Sequence, residues 1–323
     1  MKSLSEAPIK TSTRVFVRCD IDVPVKNGQI EEPYRLDNLL ETLKFIIEKG
    51  GLPLIAGHID KPEGHFEEKF STKHLLPYFN EKLGENSFEL LENLRFDPRE
   101  EENDAGYSKE LALEAEMYVN ESFATCHREH ASIVGIPKIL PSYAGLRLQK
   151  EINALDKTLK DPEKPLVVII GGAKLESKMP VIDKFLVLAD SILLNSLLSA
   201  NWSKEVPHNL ILSCNKDKSS MDIDKETIEN YIRILQSART ILWVGPLGVY
   251  EKEEFIQGTR EIAKEVSKLT QENGVYSVIG GGDTITALDK LGLLDKFSFV
   301  STGGGAMLQY LAYGTLPGIE ALN

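Results

Sequence analysis

Short apolar runs alternate along this chain with stretches whose apolar residues recur at every third or fourth position. The first pattern predicts strands buried on both faces and the second predicts amphipathic helices laid over them. Together they predict an α/β fold built on parallel sheets. In the first half, strands are predicted near residues 14–18, 52–56, 88–92 and 117–120, with helices near 36–48, 72–82 and 108–115. A helical pattern at 146–160 then runs into the turn-forming Asp161, Pro162, Glu163, Lys164 and Pro165. The apolar pattern restarts at 166–170, and strands are expected near 191–194, 209–212, 240–244, 276–279 and 297–300.

That break divides the chain into an expected first domain, 1–150, a second, 151–305, and a C-terminal segment, 306–323. At 323 residues, 42% of them hydrophobic, the chain exceeds the size at which one core usually stays undivided. The longest apolar stretch, 185–202, is interrupted by Asp190 and Asn195, which predicts a buried helix and strand and not a membrane span. Residues 1–6 carry no apolar run of signal-peptide type. Residues 213–225 are polar and charged and are expected to form a solvent-exposed loop. No internal repeat or low-complexity segment is evident.

The formal net charge of −12 argues against broad nucleic-acid or anionic-membrane binding, which needs a continuous cationic surface. Any basic cluster is therefore expected to be a local site. Cys19, Cys126 and Cys214 are scattered, lack metal-ligand spacing and cannot all pair, so a reducing cytoplasm is the expected compartment.

Three glycine-rich turns in the second half each follow an apolar run. They are Gly171, Gly172, Ala173 and Lys174; Gly280, Gly281, Gly282, Asp283 and Thr284; and Ser301, Thr302, Gly303, Gly304, Gly305 and Ala306. Small residues where a strand turns into a helix let free backbone N–H groups and the helix dipole face an anion. Lys174 and Lys178 lie four residues apart at the start of a predicted helix, where both ammonium groups can point towards the first turn. Such charge suits a phosphoryl group in flight; the plainer reading is a solvated Lys/Glu face shared with Glu176. Asp283 opens a predicted helix, where it can hold Mg²⁺ or simply cap the helix with Thr284. The Walker pattern and the protein-kinase signatures are absent, so phosphate chemistry must rest on another scaffold.

In the first half, the candidate residues follow strands. Asp20 and Asp22 come after the first strand, Arg35 before the first helix, His58 and Lys61 after the second strand, Arg95 after the third, and His127 and Arg128 after the fourth. Loops of this kind gather at the carboxyl edge of a doubly wound sheet, where ligands bind. Convergent arginines would form a pocket for a small anion, because the guanidinium fork matches carboxylate and phosphate oxygens. The competing reading is that each arginine pairs with Glu100, Glu101, Glu102 or Glu121 at the surface. His130 is expected to be structural.

Residues 15–24, 91–96, 119–135, 171–174, 243–246, 280–284 and 301–306 resemble phosphoglycerate kinases, in family order and over nearly the whole chain. The resemblance implies two doubly wound, Rossmann-like domains joined by a helix and hinge. It implies 3-phosphoglycerate or 1,3-bisphosphoglycerate on the first domain, Mg·ATP or Mg·ADP on the second, hinge closure between them, and a monomer. Asp20, Asp22, Arg35, His58, Lys61, Arg95 and Arg128 occupy its acid-substrate positions, and Arg35 would stabilise the transferring group. Lys178 would follow that group, Lys174 with Gly171, Gly172 and Ala173 would hold nucleotide phosphate, and Asp283 would anchor Mg²⁺. Glu251 matches the ribose contact. The turns at Gly280, Gly281, Gly282 and Thr284, and at Gly304, would supply backbone donors. Residues 316–320 resemble the tail that returns to the first domain.

Several positions depart from the family pattern. Asp22 stands in place of Asn, Lys61 in place of Arg, and Gly57 and Asp60 in place of Ser and Gly. Asn195, Ser196 and Leu197 replace a triple glycine, Val244 replaces Asn, and the chain passes from Trp202 to Met221 in far fewer residues than usual. Residues 222–227 keep a trace of the Gly-Pro-Lys-Thr loop. A metabolite-binding relative without turnover is therefore the alternative. A dinucleotide-dependent oxidoreductase lacks its Gly-x-Gly-x-x-Gly fingerprint here.

Overall fold

The computed structural model describes residues 1–26, 28–215 and 219–323. They form two compact units: Met1–Ile152 with Thr315–Asn323, and Asn153–Gly314.

In the first unit the apolar strings Val15, Phe16, Val17 and Leu54, Ile55, Ala56 have no polar face to offer water, and all six residues are fully buried. They lie in β1 (Arg14–Cys19) and, after the short antiparallel pair β2 (Val25–Lys26) and β3 (Gln29–Ile30) and the helix α1 (Tyr34–Glu48), in β4 (Leu52–Ala56). There follow α2 (Leu76–Leu83), β5 (Glu89–Leu90), α3 (Ala105–Ala112), β6 (Met117–Glu121), β7 (Ser142–Ala144) and α4 (Leu146–Leu159), whose residues from Asn153 on belong to the second unit. The sheet order is β5-β4-β1-β6-β7, and every pairing is parallel. Helix α1 buries Leu36, Leu39, Leu43 and Ile46, the face its periodicity predicts.

Three elements differ from the sequence expectation. The helix expected at 72–82 starts as a 3₁₀ turn, Thr72–Leu75, and becomes α-helical at Leu76, with Pro77 in the first turn, where its missing N–H costs nothing. The helix expected at 108–115 begins earlier because the Asp104 side chain accepts the Tyr107 N–H at 2.7 Å. Strand β7 is too short to leave a periodic signal.

Glu121, at the end of β6, is buried and caps α4. It accepts N–H bonds from Arg147 at 2.9 Å and Leu148 at 3.2 Å, and the Thr42 hydroxyl donates to it at 2.5 Å. Burial pushes its carboxyl from an ordinary 4.5 up to about 7, against these hydrogen bonds. A carboxyl raised in the folded state binds a proton that the unfolded chain releases. Its contribution is thus fully present below about pH 4.5 and lost as pH rises to about 7, at up to about 1.4 kcal/mol per pH unit. Urea unfolding of Glu121→Gln against the native chain should show the native chain losing relative stability across that window. Parallel pH profiles would contradict this.

In the second unit, β8 (Leu166–Ile170), α5 (Met179–Leu188), β9 (Ser191–Leu194), α6 (Ser196–Asn201), β10 (Leu210–Ile211) and α7 (Lys225–Leu235) precede β11 (Thr240–Val244) and α8 (Gln257–Asn273). Then come β12 (Tyr276–Gly280), α9 (Gly282–Lys290), β13 (Phe299–Ser301) and α10 (Gly305–Tyr313). This sheet is also parallel, in the order β10-β9-β8-β11-β12-β13. The loops after β8 and β11 meet back to back: a Cβ on Gly171 would lie 2.0 Å from the Pro246 carbonyl oxygen. Only glycine fits there.

The stretch expected as an exposed loop, 213–225, differs in part. Ser213 and Ile223 are buried, Asp222 is half-buried, and residues 216–218 lie outside the described residues. Helix α11 (Pro317–Glu320) packs in the first unit, where Gly318 N–H donates to the Cys126 carbonyl at 2.8 Å. No described helix is long and apolar enough to cross a membrane.

Candidate active site

Strand register puts Arg18 of β1 opposite Ala56 of β4 and Asn120 of β6, so the loops that follow leave one carboxyl edge. Asp20 is buried there and accepts Arg35 Nη1 at 3.1 and 3.2 Å on its two oxygens. Burial raises the Asp20 carboxyl while Arg35 opposes it, and Asp20 in turn raises Arg35.

Arg18 is fully buried. Its Nε donates to Ser132 Oγ at 2.9 Å and its Nη2 lies 3.2 Å from His58 Nδ1. Ser132 in turn donates to the buried Glu100, its N–H at 2.9 Å and its hydroxyl at 2.5 Å. Because a guanidinium cannot accept, His58 Nδ1 must accept from Arg18, which leaves the ring proton on Nε2. Burial, then the positive charge of Arg18, Arg95 and Arg128, holds His58 well below its usual titration range. His58 is thus a neutral donor, with Nε2 3.8 Å from Asp22 Oδ2.

Arg95 is also buried. Its Nη1 donates to the Asp60 carbonyl at 2.8 Å, and its Nε lies 3.1 Å from Glu101 Oε1, without the alignment of a hydrogen bond. Among the described residues its Nη2 is buried with no hydrogen-bond partner, as are His127 Nδ1 and His130 Nδ1, the last lying 3.9 Å from Glu100 Oε1. A buried unpaired donor is costly, and an anion's oxygen is the group that satisfies it. Arg128, half-buried, adds its charge to His58, Arg95 and His127. Lys61 is exposed, and no contact among the described residues draws it into this group.

In the second unit, a cavity of about 370 Å³ brings together Gly172, Ala173, Lys174, Lys178, Gly281, Gly282, Asp283, Thr284, Gly304 and Gly305. Helices α9 and α10 both start at it. The first intrahelical bond of α9 runs from Ile285 N–H to Gly281 O at 3.0 Å, so the N–H groups of Gly282, Asp283 and Thr284 precede any partner in their own helix. Gly281 and Gly304 hold φ of 95° and 51°, conformations that favour glycine. Burial lowers the Lys178 ammonium, and the charge of Asp283 opposes this. An adjoining cavity of about 190 Å³ is lined by Asn195, Leu197, Ser220, Met221, Tyr250 and Glu251, among others.

Comparison with known proteins decides what this pair of sites belongs to. The model of the phosphoglycerate kinase family matches residues 7–88, 80–210 and 199–313. The chain belongs to the phosphoglycerate kinase family. The phosphoglycerate kinase of Leptospira biflexa serovar Patoc is 35% identical over 380 residues, covering 96% of this chain and 95% of that relative. That of Thermosipho africanus is 34% identical over 381 residues, covering 96% and 94%. The solved phosphoglycerate kinase of Coxiella burnetii superposes with a TM-score of 0.86 at 31% identity, covering 99% of this chain and 98% of that one. The enzyme of Pyrococcus horikoshii OT3 gives 0.85 at 28% identity, covering 100% and 98%. Both alignments with curated relatives are longer than this chain's 323 residues, so those phosphoglycerate kinases carry residues with no counterpart here.

Against this family background, three sequence expectations are corrected. Gly171 and Gly172 do not offer free N–H groups, because they donate to the carbonyls of Val244 at 2.9 Å and Pro246 at 3.0 Å. Lys174 and Lys178 share no helix face: α5 begins at Met179, and both lysines sit in the loop before it. Asp283 is not the cap of α9, which is Gly281, and the Thr284 hydroxyl instead accepts the Gly245 N–H at 2.8 Å. Asp22, which stands in place of the family's Asn, is tied into the loop after β4, where its Oδ1 accepts the Asp60 N–H at 2.9 Å.

Residues to which the sequence pattern gives no site role also shape the sites, among them Glu100, which is fully buried and not at the expected surface position. Arg18, Glu100 and Ser132 orient His58, although Arg18 sits inside a strand, where its side chain read as part of the apolar run. Asn195 donates from Nδ2 to the Gly172 carbonyl at 3.0 Å and accepts the Leu198 N–H at 3.0 Å, so it braces the first glycine turn. The signal for it was a polar residue directly after an apolar strand.

Proposed function

We propose that this family member catalyses reversible, Mg²⁺-dependent phosphoryl transfer between 1,3-bisphosphoglycerate and ADP, giving 3-phosphoglycerate and ATP. The observation that carries this reading is the convergence of Lys178, Asp283 and the N-termini of α9 and α10 on one cavity. In the direction of ATP use, a carboxylate oxygen of 3-phosphoglycerate attacks the terminal phosphorus, the new P–O bond forms, and the bond to ADP breaks. The carboxylate is ionised at neutral pH and needs no general base.

Arg35, Arg95, Arg128 and the His58 Nε2–H would bind and orient the acid substrate, with Asp20 holding Arg35 in place. Lys178 and the N–H groups at Gly282, Asp283, Gly304 and Gly305 would face the phosphates, where preorganised donors match charge that develops on the equatorial oxygens. Glu251 would meet the ribose.

The donor set suits a nucleotide-borne Mg²⁺. Among the described residues no group of three or more His, Cys, Asp or Glu side chains could hold a metal, while Asp283 lines both cavities. Mg²⁺ usually takes one or two carboxylates, phosphate oxygens and water. When bound through Asp283 it would neutralise phosphate charge. A reducing cytoplasm suits the free Cys19 and Cys126, both buried.

A second reading, an acid-binding relative without turnover, draws on the small size of the cavity beside Glu251. It measures about 190 Å³, against about 370 Å³ for the adjoining cavity that Lys178 lines. Calorimetry separates the readings: the kinase binds both 3-phosphoglycerate and Mg·ADP, whereas the relative binds the acid alone.

Asp22→Asn should tighten 3-phosphoglycerate binding several-fold. The Asn oxygen still accepts the Asp60 N–H, and a negative charge beside an anionic ligand disappears. Unchanged or weaker binding by calorimetry would contradict this.

A further inference from the structure

The cavity beside Glu251 is walled on one side by Ser220 and Met221, at the end of the connection that is short in this chain. That wall is anchored through Asp222. The carboxylate is half-buried, and its Oδ2 accepts Gly258 N–H at 2.8 Å in the first turn of α8. Its Oδ1 accepts Ile223 N–H at 2.9 Å. Helix α8 has no cap from its own side chain at Ile256, so Asp222 supplies one from a distant segment.

The fit around this carboxylate is close. A Cβ on Gly248 or on Gly258 would lie 2.4 Å from Asp222 Oδ1, so two glycines leave the space it occupies. The neighbouring backbone is tied as well. Val249 N–H donates to the Met221 carbonyl at 2.8 Å, and the hydroxyls of Ser220 and Ser196 donate to the Asp222 carbonyl at 2.8 and 3.1 Å. Met221 remains 43% exposed, with a flexible thioether chain that can cover the face of a flat ring.

We propose that Asp222 is a positioning residue for nucleotide recognition: by docking on α8 it fixes Ser220 and Met221 as the wall against the nucleobase. This rests on the reading that the cavity takes the nucleoside of Mg·ADP. Burial pushes the Asp222 carboxyl up to about 6 while the N–H groups of Gly258, Ile223 and Gln257 hold it down, so the backbone is what keeps it charged. The wall acts on the base and not on the phosphates, which lie with Lys178 in the larger cavity.

The test compares Mg·ADP with tripolyphosphate, which has the charge of a nucleotide tail and no base, by calorimetry on the full chain. Asp222→Ala should weaken Mg·ADP about tenfold and leave tripolyphosphate within twofold. Asp222→Asn, which keeps the shape and one acceptor oxygen, should recover part of the loss. Met221→Ala, at an exposed side chain, should weaken Mg·ADP alone and serves if Asp222→Ala does not fold. In steady state the KM for ATP should rise and the KM for 3-phosphoglycerate should not. Equal weakening of both ligands, or no weakening of Mg·ADP, would overturn the proposal while leaving the kinase reading standing. A native chain that binds no Mg·ADP would overturn both.

Discussion

Lys178→Ala should lower the rate of phosphoryl transfer by about 10²–10³-fold, the loss typical of removing one preorganised donor from a developing negative charge. Lys178 is half-buried and lines the cavity that α9 and α10 open onto. Burial lowers its ammonium, and the nearby Asp283 offsets part of that cost, so the charge is held where solvent screens it poorly. Lys174 lines the same cavity but is exposed, and Lys174→Ala should mainly raise the KM for nucleotide. Steady-state kinetics with both variants checks the contrast. Comparable losses of kcat at the two positions would show that Lys178 has no special place.

Arg18→Met should destabilise the first unit by about 3–5 kcal/mol. Its guanidinium is fully buried and shares Ser132 with the buried Glu100, whose carboxyl Arg18 helps keep charged against burial. Removing Arg18 leaves Glu100 in a low-dielectric interior with only part of its compensating charge, that of Arg95, and takes the Arg18 donor from Ser132, which is far costlier than losing an exposed pair. Arg14 provides the control. It makes a two-pronged pair with Glu89 at 2.6 and 2.9 Å at the surface, and Arg14→Met should cost about 0–1 kcal/mol. Urea unfolding of the two variants reads the difference. The Arg18 variant should also lose the constraint on the His58 tautomer, so its 3-phosphoglycerate affinity should fall even where it remains folded.

Most of the scaffold is legible in the sequence for a simple reason. Parallel strands buried on both faces must be continuously apolar, so 52–56, 166–170, 191–194 and 240–244 announce themselves with their observed limits. Strand β7 and the 3₁₀ entry to α2 are short, and short elements owe their form to tertiary contacts more than to periodicity. The glycine turns were legible as turns, but their hydrogen bonding was not. Gly171 spends its N–H on Val244 at the end of β11 and Gly172 on Pro246 in the loop after it, distant neighbours that no local pattern reveals.

The sites divide in the same way. His58 and Arg95 could be found because each follows a strand, and Arg35 because it stands at the start of the first helix, where it falls in the first turn of α1; the structure ties Arg35 to Asp20, Arg95 to Asp60 and His58 to Arg18. Glu100, Ser132 and Asp222 could not, since their partners come from distant segments and a lone polar residue reads as surface. Asp22 shows the opposite limit: its charge is plain in the sequence, while the Asp60 N–H that engages it is visible only in the fold.

The most direct measurement is a steady-state assay of ATP-dependent 1,3-bisphosphoglycerate formation from 3-phosphoglycerate, with Mg²⁺ and saturating ATP, on the native chain and on Lys178→Ala. Transfer by the native chain that falls by two orders of magnitude or more in the variant is the result expected. A folded native chain that binds 3-phosphoglycerate and transfers no phosphate at saturating nucleotide would contradict the kinase assignment.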